Sequence, residues 1–229
     1  MTPVRRLAFM TLAGCWALLT AASDGPPSLE DDVLARINFV RQHPREYAEQ
    51  LRDYRRYFVG STLYLPGDAN GVTTREGTAA VDEAIGFLER QAPLPPLGRG
   101  ALLELAAQDH VAALGPIGGR GHVSPDGASP GERVRRRGGD IYVGEDISYG
   151  YSDADAVVRQ LIVDDGVRDR AHRALLFNIE VRYAGVGCGA HQRYGHMCVV
   201  DMSRTINGRS VSDALASNGP AFRTSATAR

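Results

Sequence analysis

Lysine is missing from this chain: all 26 basic side chains among its 229 residues are arginine. Without a lysine amine there is no Schiff-base chemistry and no Walker A phosphate loop, since both need that group. An excess of charge of one sign is missing as well. The formal net charge is -1, which gives no electrostatic ground for binding nucleic acid. No long apolar run is present. The most apolar stretch, Leu7 to Leu19, is interrupted by Thr11 and Gly14, and it is short of the about 20 residues a membrane-spanning helix needs. No His-Glu-x-x-His helix occurs, which removes one common hydrolase signature. The remaining composition, 43% hydrophobic and 23% charged, excludes a wholly disordered chain and a collagen, and fits one globular domain.

Arg5 and Arg6 precede the apolar stretch, and Thr20-Ala21-Ala22-Ser23 supplies small residues before Asp24. Residues 1–23 therefore read as a secretory signal peptide. A lipoprotein anchored at Cys15 is the alternative, because Leu12-Ala13-Gly14-Cys15 has the form of a lipobox. Against it, Trp16, Ala17, Leu18 and Leu19 are apolar where a lipoprotein starts a polar tether. Loss of the leader removes two arginines and no acid, leaving 24 basic and 27 acidic side chains. It also removes Cys15, so that Cys188 and Cys198 remain. An even pair in an oxidising compartment reads as a disulfide.

From residue 24 the periodicity alternates between helix and loop. Leu29–Gln42 is a helix capped by Ser28, with Val33, Ile37 and Val40 on one face. His43-Pro44 interrupts it, and Pro44 opens a second helix toward Tyr57. Residues 58–76 read as an irregular loop. Helices follow over Thr78–Gln91 and Ala101–Leu114, and Ser129-Pro130-Gly131-Glu132 has capping-box spacing for a short helix to about Arg137. Ile141–Tyr149 reads as a strand, and Ser152–Asp165 as a helix closed by Gly166. Arg168–Leu176 adds a helical turn or two. Val181–His191 and His196–Ser203 flank Gln192-Arg193-Tyr194-Gly195 as a hairpin, and a register symmetric about Arg193 sets Cys188 opposite Cys198. The Gly185-Val186-Gly187-Cys188-Gly189 run lies in a β-rich segment without a following helix, so it marks close packing rather than a nucleotide loop. Residues 24–205 thus form one domain, and 206–229, rich in Ser, Ala, Gly and Asn, read as a disordered tail. Helices first and strands last give an α+β fold, with helices packed on a mostly antiparallel sheet.

Three segments gather polar residues among glycines: Gly121-His122-Val123-Ser124-Pro125-Asp126-Gly127, Gly144-Glu145-Asp146-Ile147, and the run Asp164 to Arg173, which holds Asp164, Asp165 and His172. Two imidazoles with a carboxylate or water suit Zn²⁺ or a similar divalent ion. Without metal, the same residues make a His–Glu–His hydrogen-bond network. The last run also reads as a charged turn crosslinked by Asp–Arg pairs. His110 sits among apolar neighbours as a core histidine, and Ser124 has no spacing that ties it to a histidine and an acid.

These segments, with Asn38-x-x-Arg41-x-x-Pro44, His172-Arg173 and Gly185-Val186-Gly187, occur in an order that resembles the bacterial branch of the CAP superfamily. That superfamily of SCP-like extracellular proteins includes cysteine-rich secretory proteins, antigen 5 and plant pathogenesis-related proteins. The resemblance spans about residues 30–203. It implies a three-layer α-β-α sandwich, a secreted or periplasmic address, and a cleft with two histidines and two acids. His122, Glu145 and His172 match three of those positions. The fourth, a glutamate in the eukaryotic members, has only Asp164 or Asp165 near it. The family resemblance implies a non-catalytic binding module for a divalent metal such as Zn²⁺ at His122 and His172, for a lipid or other small apolar ligand, or for a cell-envelope partner. The alternative is a metal-dependent hydrolase or peptidase with Glu145 as general base.

Overall fold

The computed structural model describes residues 27–209. The expected signal peptide, the lipobox at Cys15 and most of the tail fall outside the described residues. The chain opens with α1 (Leu29–Gln42), where Ser28 and Asp31 make a reciprocal capping box. Pro44 then begins α2 (Pro44–Arg55) in the first-turn position that spares its missing N–H. Three two-residue strands follow, β1 (Phe58–Val59), β2 (Thr62–Leu63) and β3 (Val72–Thr73), paired antiparallel in that order. The expected irregular loop is thus a small sheet; two residues are too few to display a strand's period of two. Next come α3 (Thr78–Arg90), β4 (Gly98–Arg99), α4 (Ala101–Leu114) and a 3₁₀ turn at Gly115–Ile117. Ser129 and Glu132 cap α5 (Pro130–Arg136) as the spacing implied. The chain ends with β5 (Gly144–Tyr149), α6 (Ala154–Val163), α7 (Ala171–Leu176), β6 (Tyr183–His191) and β7 (Gly195–Ser203).

The main sheet has the order β4-β6-β7-β5. Its pairs are antiparallel except for the short parallel contact of β4 with β6. Helices α4 and α5 cover one face, while α1 and α6 lie on the other with α2 and α3 beyond them. The fold is therefore the α-β-α sandwich of an α+β protein. The larger core fills the α1/α6 side, from Val33 and Ile37 through Leu161 to Val200 and Met202. A smaller one packs Val111 and Leu114 of α4 on Ile147, Met197 and Val199, and a third sets Leu103 and Ala106 of α4 against Val134 of α5.

Glycines of β6 set how closely α4 approaches. A Cβ at Gly185 would lie 2.0 Å from the Glu104 backbone nitrogen, and one at Gly187 would lie 2.5 Å from that of Gln108. The glycine run marks close packing, here of a helix backbone on a strand.

The hairpin brings Cys188 opposite Cys198, and the two are bonded with Cα atoms 4.1 Å apart. Gly150 N–H donates to the His196 carbonyl at 2.9 Å. In an antiparallel ladder such pairs alternate, so Gly144, Asp146 and Ser148 of β5 are hydrogen-bonded to β7. Cys198 then spends its backbone groups on β5 and meets Cys188 as a narrow, non-hydrogen-bonded pair. Beyond β7 the chain stays attached for a few residues: Asp140 and Tyr142 donate their N–H groups to the carbonyls of Asn207 and Gly208.

Candidate functional site

Strand β5 lies at the edge of the sheet, and a cleft of about 740 Å³ opens along it. His122 reaches the cleft from the loop between α4 and α5, and His172 from the start of α7 on the other side of the sheet. Ile147, Tyr149 and Gln160 line its middle, and Tyr54, Phe58, Leu63 and Val72 give it an apolar end.

His122 Nδ1 is 2.8 Å from Glu145 Oε1. The other Glu145 oxygen accepts from Arg133 Nη2, and Glu145 and Arg133 are both buried. Arg133 Nη1 also serves the His122 carbonyl at 3.0 Å, Ser124 Oγ at 3.2 Å and the Ala128 carbonyl at 3.1 Å. Ser124 Oγ lies 2.9 Å from His110 Nδ1, and His110 Nε2 lies 2.8 Å from the Gly121 carbonyl. A carbonyl only accepts, so His110 carries its proton on Nε2 and receives the serine hydroxyl at Nδ1. Burial holds the His110 pKa below its ordinary value, in keeping with that neutral form. One network thus ties the helix, the loop and the strand behind His122. Ser124, which no sequence spacing ties to a histidine and an acid, is held by His110, 14 residues earlier on α4. Arg133 was not singled out either, because nothing local distinguishes it from Arg135, Arg136 and Arg137.

On the opposite side, His172 Nδ1 is 2.6 Å from Asp164 Oδ1. Asp164 Oδ2 accepts from the His172 N–H at 3.1 Å. Asp164 reaches this position because it ends α6 in the left-handed conformation, with φ 57°, which aspartate tolerates better than most residues. Asp165 also lines the cleft, but its oxygens accept from the N–H groups of Arg75 and Glu76, each at 2.8 Å. Of the two candidate acids, Asp164 faces a histidine and Asp165 fastens the segment before α3. The expected Asp–Arg crosslinks are replaced by others. Arg170 pairs with Glu76 at 2.6 Å and Glu83 at 2.7 Å, and Arg173 with Glu83 at 2.8 Å.

Two further carboxylates are buried beneath the site. Asp201 faces Glu145 across the ladder, in a narrow pair whose side chains share a face. Among the described residues neither Asp201 oxygen has a hydrogen-bond partner, nor does Asp146 Oδ2. Burial pushes both carboxyls well above the usual range; nearby Glu145 adds to this for Asp201, and Asp164 with Glu145 for Asp146. Removal from water disfavours the charged form, and like charges nearby add to the effect.

In each half of the cleft a carboxylate accepts from Nδ1, which leaves Nε2 as the nitrogen without a partner among the described residues. A carboxylate on one ring nitrogen fixes the tautomer and makes the other a better ligand. Among the described residues no group of three or more His, Cys, Asp or Glu is arranged to hold a metal ion, so an ion here would rest on the two imidazoles and water. Glu145 has both oxygens occupied and is screened from the cleft by His122, so its geometry is that of a group orienting a ring.

A family model described as the cysteine-rich secretory protein family, CAP, matches residues 34–202, well over half of the chain. No curated protein sequence matches. Among solved structures, an extracellular protein containing an SCP domain from Bacillus anthracis str. Ames aligns at 23% identity with a TM-score of 0.41. The alignment covers 49% of this chain and 35% of that one, so the match spans about a third of the neighbour's length.

Proposed function

Starting from the fact that the chain belongs to the CAP family, we propose that it is an exported binding module whose cleft takes its ligand between His122 and His172. The observation that carries this reading is the pair of imidazoles lining one cleft from opposite sides of the sheet, each with Nδ1 held by a buried carboxylate. Such rings are oriented before any ligand arrives, which lowers the cost of binding. The apolar end of the same cleft suits the carbon skeleton of a small ligand or of a cell-envelope component.

A divalent ion of borderline softness such as Zn²⁺ would be held by His122 and His172 and would supply a positive charge to an anionic ligand group. With only two protein ligands it would exchange readily. The hydrolase reading, with Glu145 as general base, has less support, because a base must come within hydrogen-bond reach of the proton it takes. Glu145 already serves His122 and Arg133.

Calorimetric titration of Zn²⁺ into the wild type and the His122→Ala/His172→Ala double variant tests the site. The wild type is expected to bind in the micromolar range and the variant at least tenfold more weakly. Equal binding by both, or none by either, ends the metal assignment. The hydrolase reading is checked by a broad esterase and peptidase screen of the wild type beside Glu145→Ala; turnover lost in the variant at unchanged melting temperature would reinstate it.

A further inference from the structure

We propose that the ligand of this cleft is a peptide in extended form, added as a strand to the free edge of β5 at Ile147; this rests on the cleft being the binding site. Alternation in the ladder fixes which residues face outward. Gly150 bonds to His196 on β7, so Glu145, Ile147 and Tyr149 turn their backbone groups away from β7 toward the open edge. Tyr149 shows what that edge accepts. Its N–H donates to Gln160 Oε1 at 3.1 Å, and its carbonyl accepts from Gln160 Nε2 at 3.3 Å. A carboxamide offers one acceptor and one donor side by side, as a passing strand does. Gln160 thus occupies the edge at Tyr149 and stops there.

One step earlier, the Ile147 N–H and carbonyl have no hydrogen-bond partner among the described residues, and Ile147 lines the cleft. Unpaired backbone groups on an edge strand are a template for another chain, and an extended peptide supplies the matching acceptor and donor at strand spacing. A hydrocarbon tail supplies neither, so the backbone chemistry favours a peptide over a lipid. Charge narrows the class. Arg75 and Arg120 line the cleft and are exposed, without a carboxylate partner among the described residues. Arg120 lies over the rings of Tyr149 and Tyr194, 5.8 and 5.6 Å from their centroids. Both guanidiniums remain available to acidic side chains, so an acidic peptide fits best.

The probe is a pool of acetylated hexapeptides rich in aspartate and glutamate and otherwise randomised, beside the same pool N-methylated at alternate amides. Lauric acid is the third arm. Amide shifts of ¹⁵N-labelled protein give the readout. The first pool is expected to shift the Ile147 and Glu145 signals, and the N-methylated pool to do so at least tenfold more weakly. Ile147→Pro, which deletes the outward N–H without touching a bond to β7, should abolish the response. Should that variant fail to fold, Gln160→Ala serves instead: it frees the Tyr149 edge and should tighten peptide binding several-fold. Equal response to both pools, a response to lauric acid alone, or no response at all overturns the proposal. Lauric acid binding without peptide binding leaves the cleft as a ligand site, and the zinc titration judges that reading separately.

Discussion

Arg133 has the largest share of the site's wiring, since one buried guanidinium joins Glu145, Ser124 and the carbonyls of His122 and Ala128. Arg133→Ala would strand the Glu145 carboxylate in the interior, a loss of about 3–5 kcal/mol for a broken buried pair. Urea denaturation should register it, and Arg133→Lys should recover only part, because an ammonium lacks the planar fork. A loss under 1 kcal/mol would mean that water reaches Glu145. Asp201 gives the opposite kind of test. Its folded pKa is raised, so its protonated form is favoured by folding. The stability it lends is full below the unfolded value near 4 and declines as pH rises toward the folded value. Asp201→Asn should therefore gain melting temperature over the wild type, by a margin that grows from pH 5 to pH 8; a margin independent of pH would place the carboxyl in contact with water. At this scale the sequence marked His122, Glu145 and His172 through the glycines around them. It could not choose between Asp164 and Asp165, because the choice depends on one left-handed residue at the end of α6. Nor could it find the His110–Ser124 contact, which depends on how the loop folds back over α4.

Among the elements, the contact of α4 with β6 depends most on what side chains leave out. Gly187→Ala would push a methyl group against the Gln108 backbone, and overpacking of this kind costs about 1–3 kcal/mol. The displacement should also reach His110, which holds the Gly121 carbonyl, so the zinc affinity expected at His122 should fall along with the melting temperature. Unchanged values of both would show that α4 slides without strain. The hairpin offers a separate check. Cys188→Ser/Cys198→Ser opens a loop with a sequence separation of 10, and the chain-entropy argument assigns such a loop about 2–3 kcal/mol. Thermal melting of the oxidised wild type against the variant measures it. Helices and long strands were readable because caps and apolar spacing agree over ten or more residues, as in α1 and α6. The β1–β3 sheet was not, because its pairing is decided by the chain around it. The strand expected from Ile141 begins at Gly144 because Ile141 and Tyr142 are exposed and precede the ladder.

At the scale of the whole molecule, the site lies where two helical layers meet one sheet edge: His122 belongs to the α4/α5 side, His172 to the α6/α7 side, and β5 runs between them. The order of helices and strands made the architecture readable, but nothing in that order says that β5 is an edge, because the crossing of β6 and β7 decides it. The terminus can be tested at the same scale. Truncation after Arg209 should leave the melting temperature nearly unchanged, while truncation after Ser203 removes the carbonyls of Asn207 and Gly208 that hold Asp140 and Tyr142 and should lower it. Equal melting temperatures for the two would show that those bonds contribute nothing. The disulfide, finally, joins neighbouring strands of the same sheet; it packs against the α1/α6 layer but is bonded covalently to no helix. Under tension applied to the two ends, it shields only the hairpin tip. Every helix among the described residues, the β5 edge and the cleft lie on the N-terminal side of Cys188, so they would unravel with the covalent link intact. Only the short turn between the two cysteines would be withheld as hidden length.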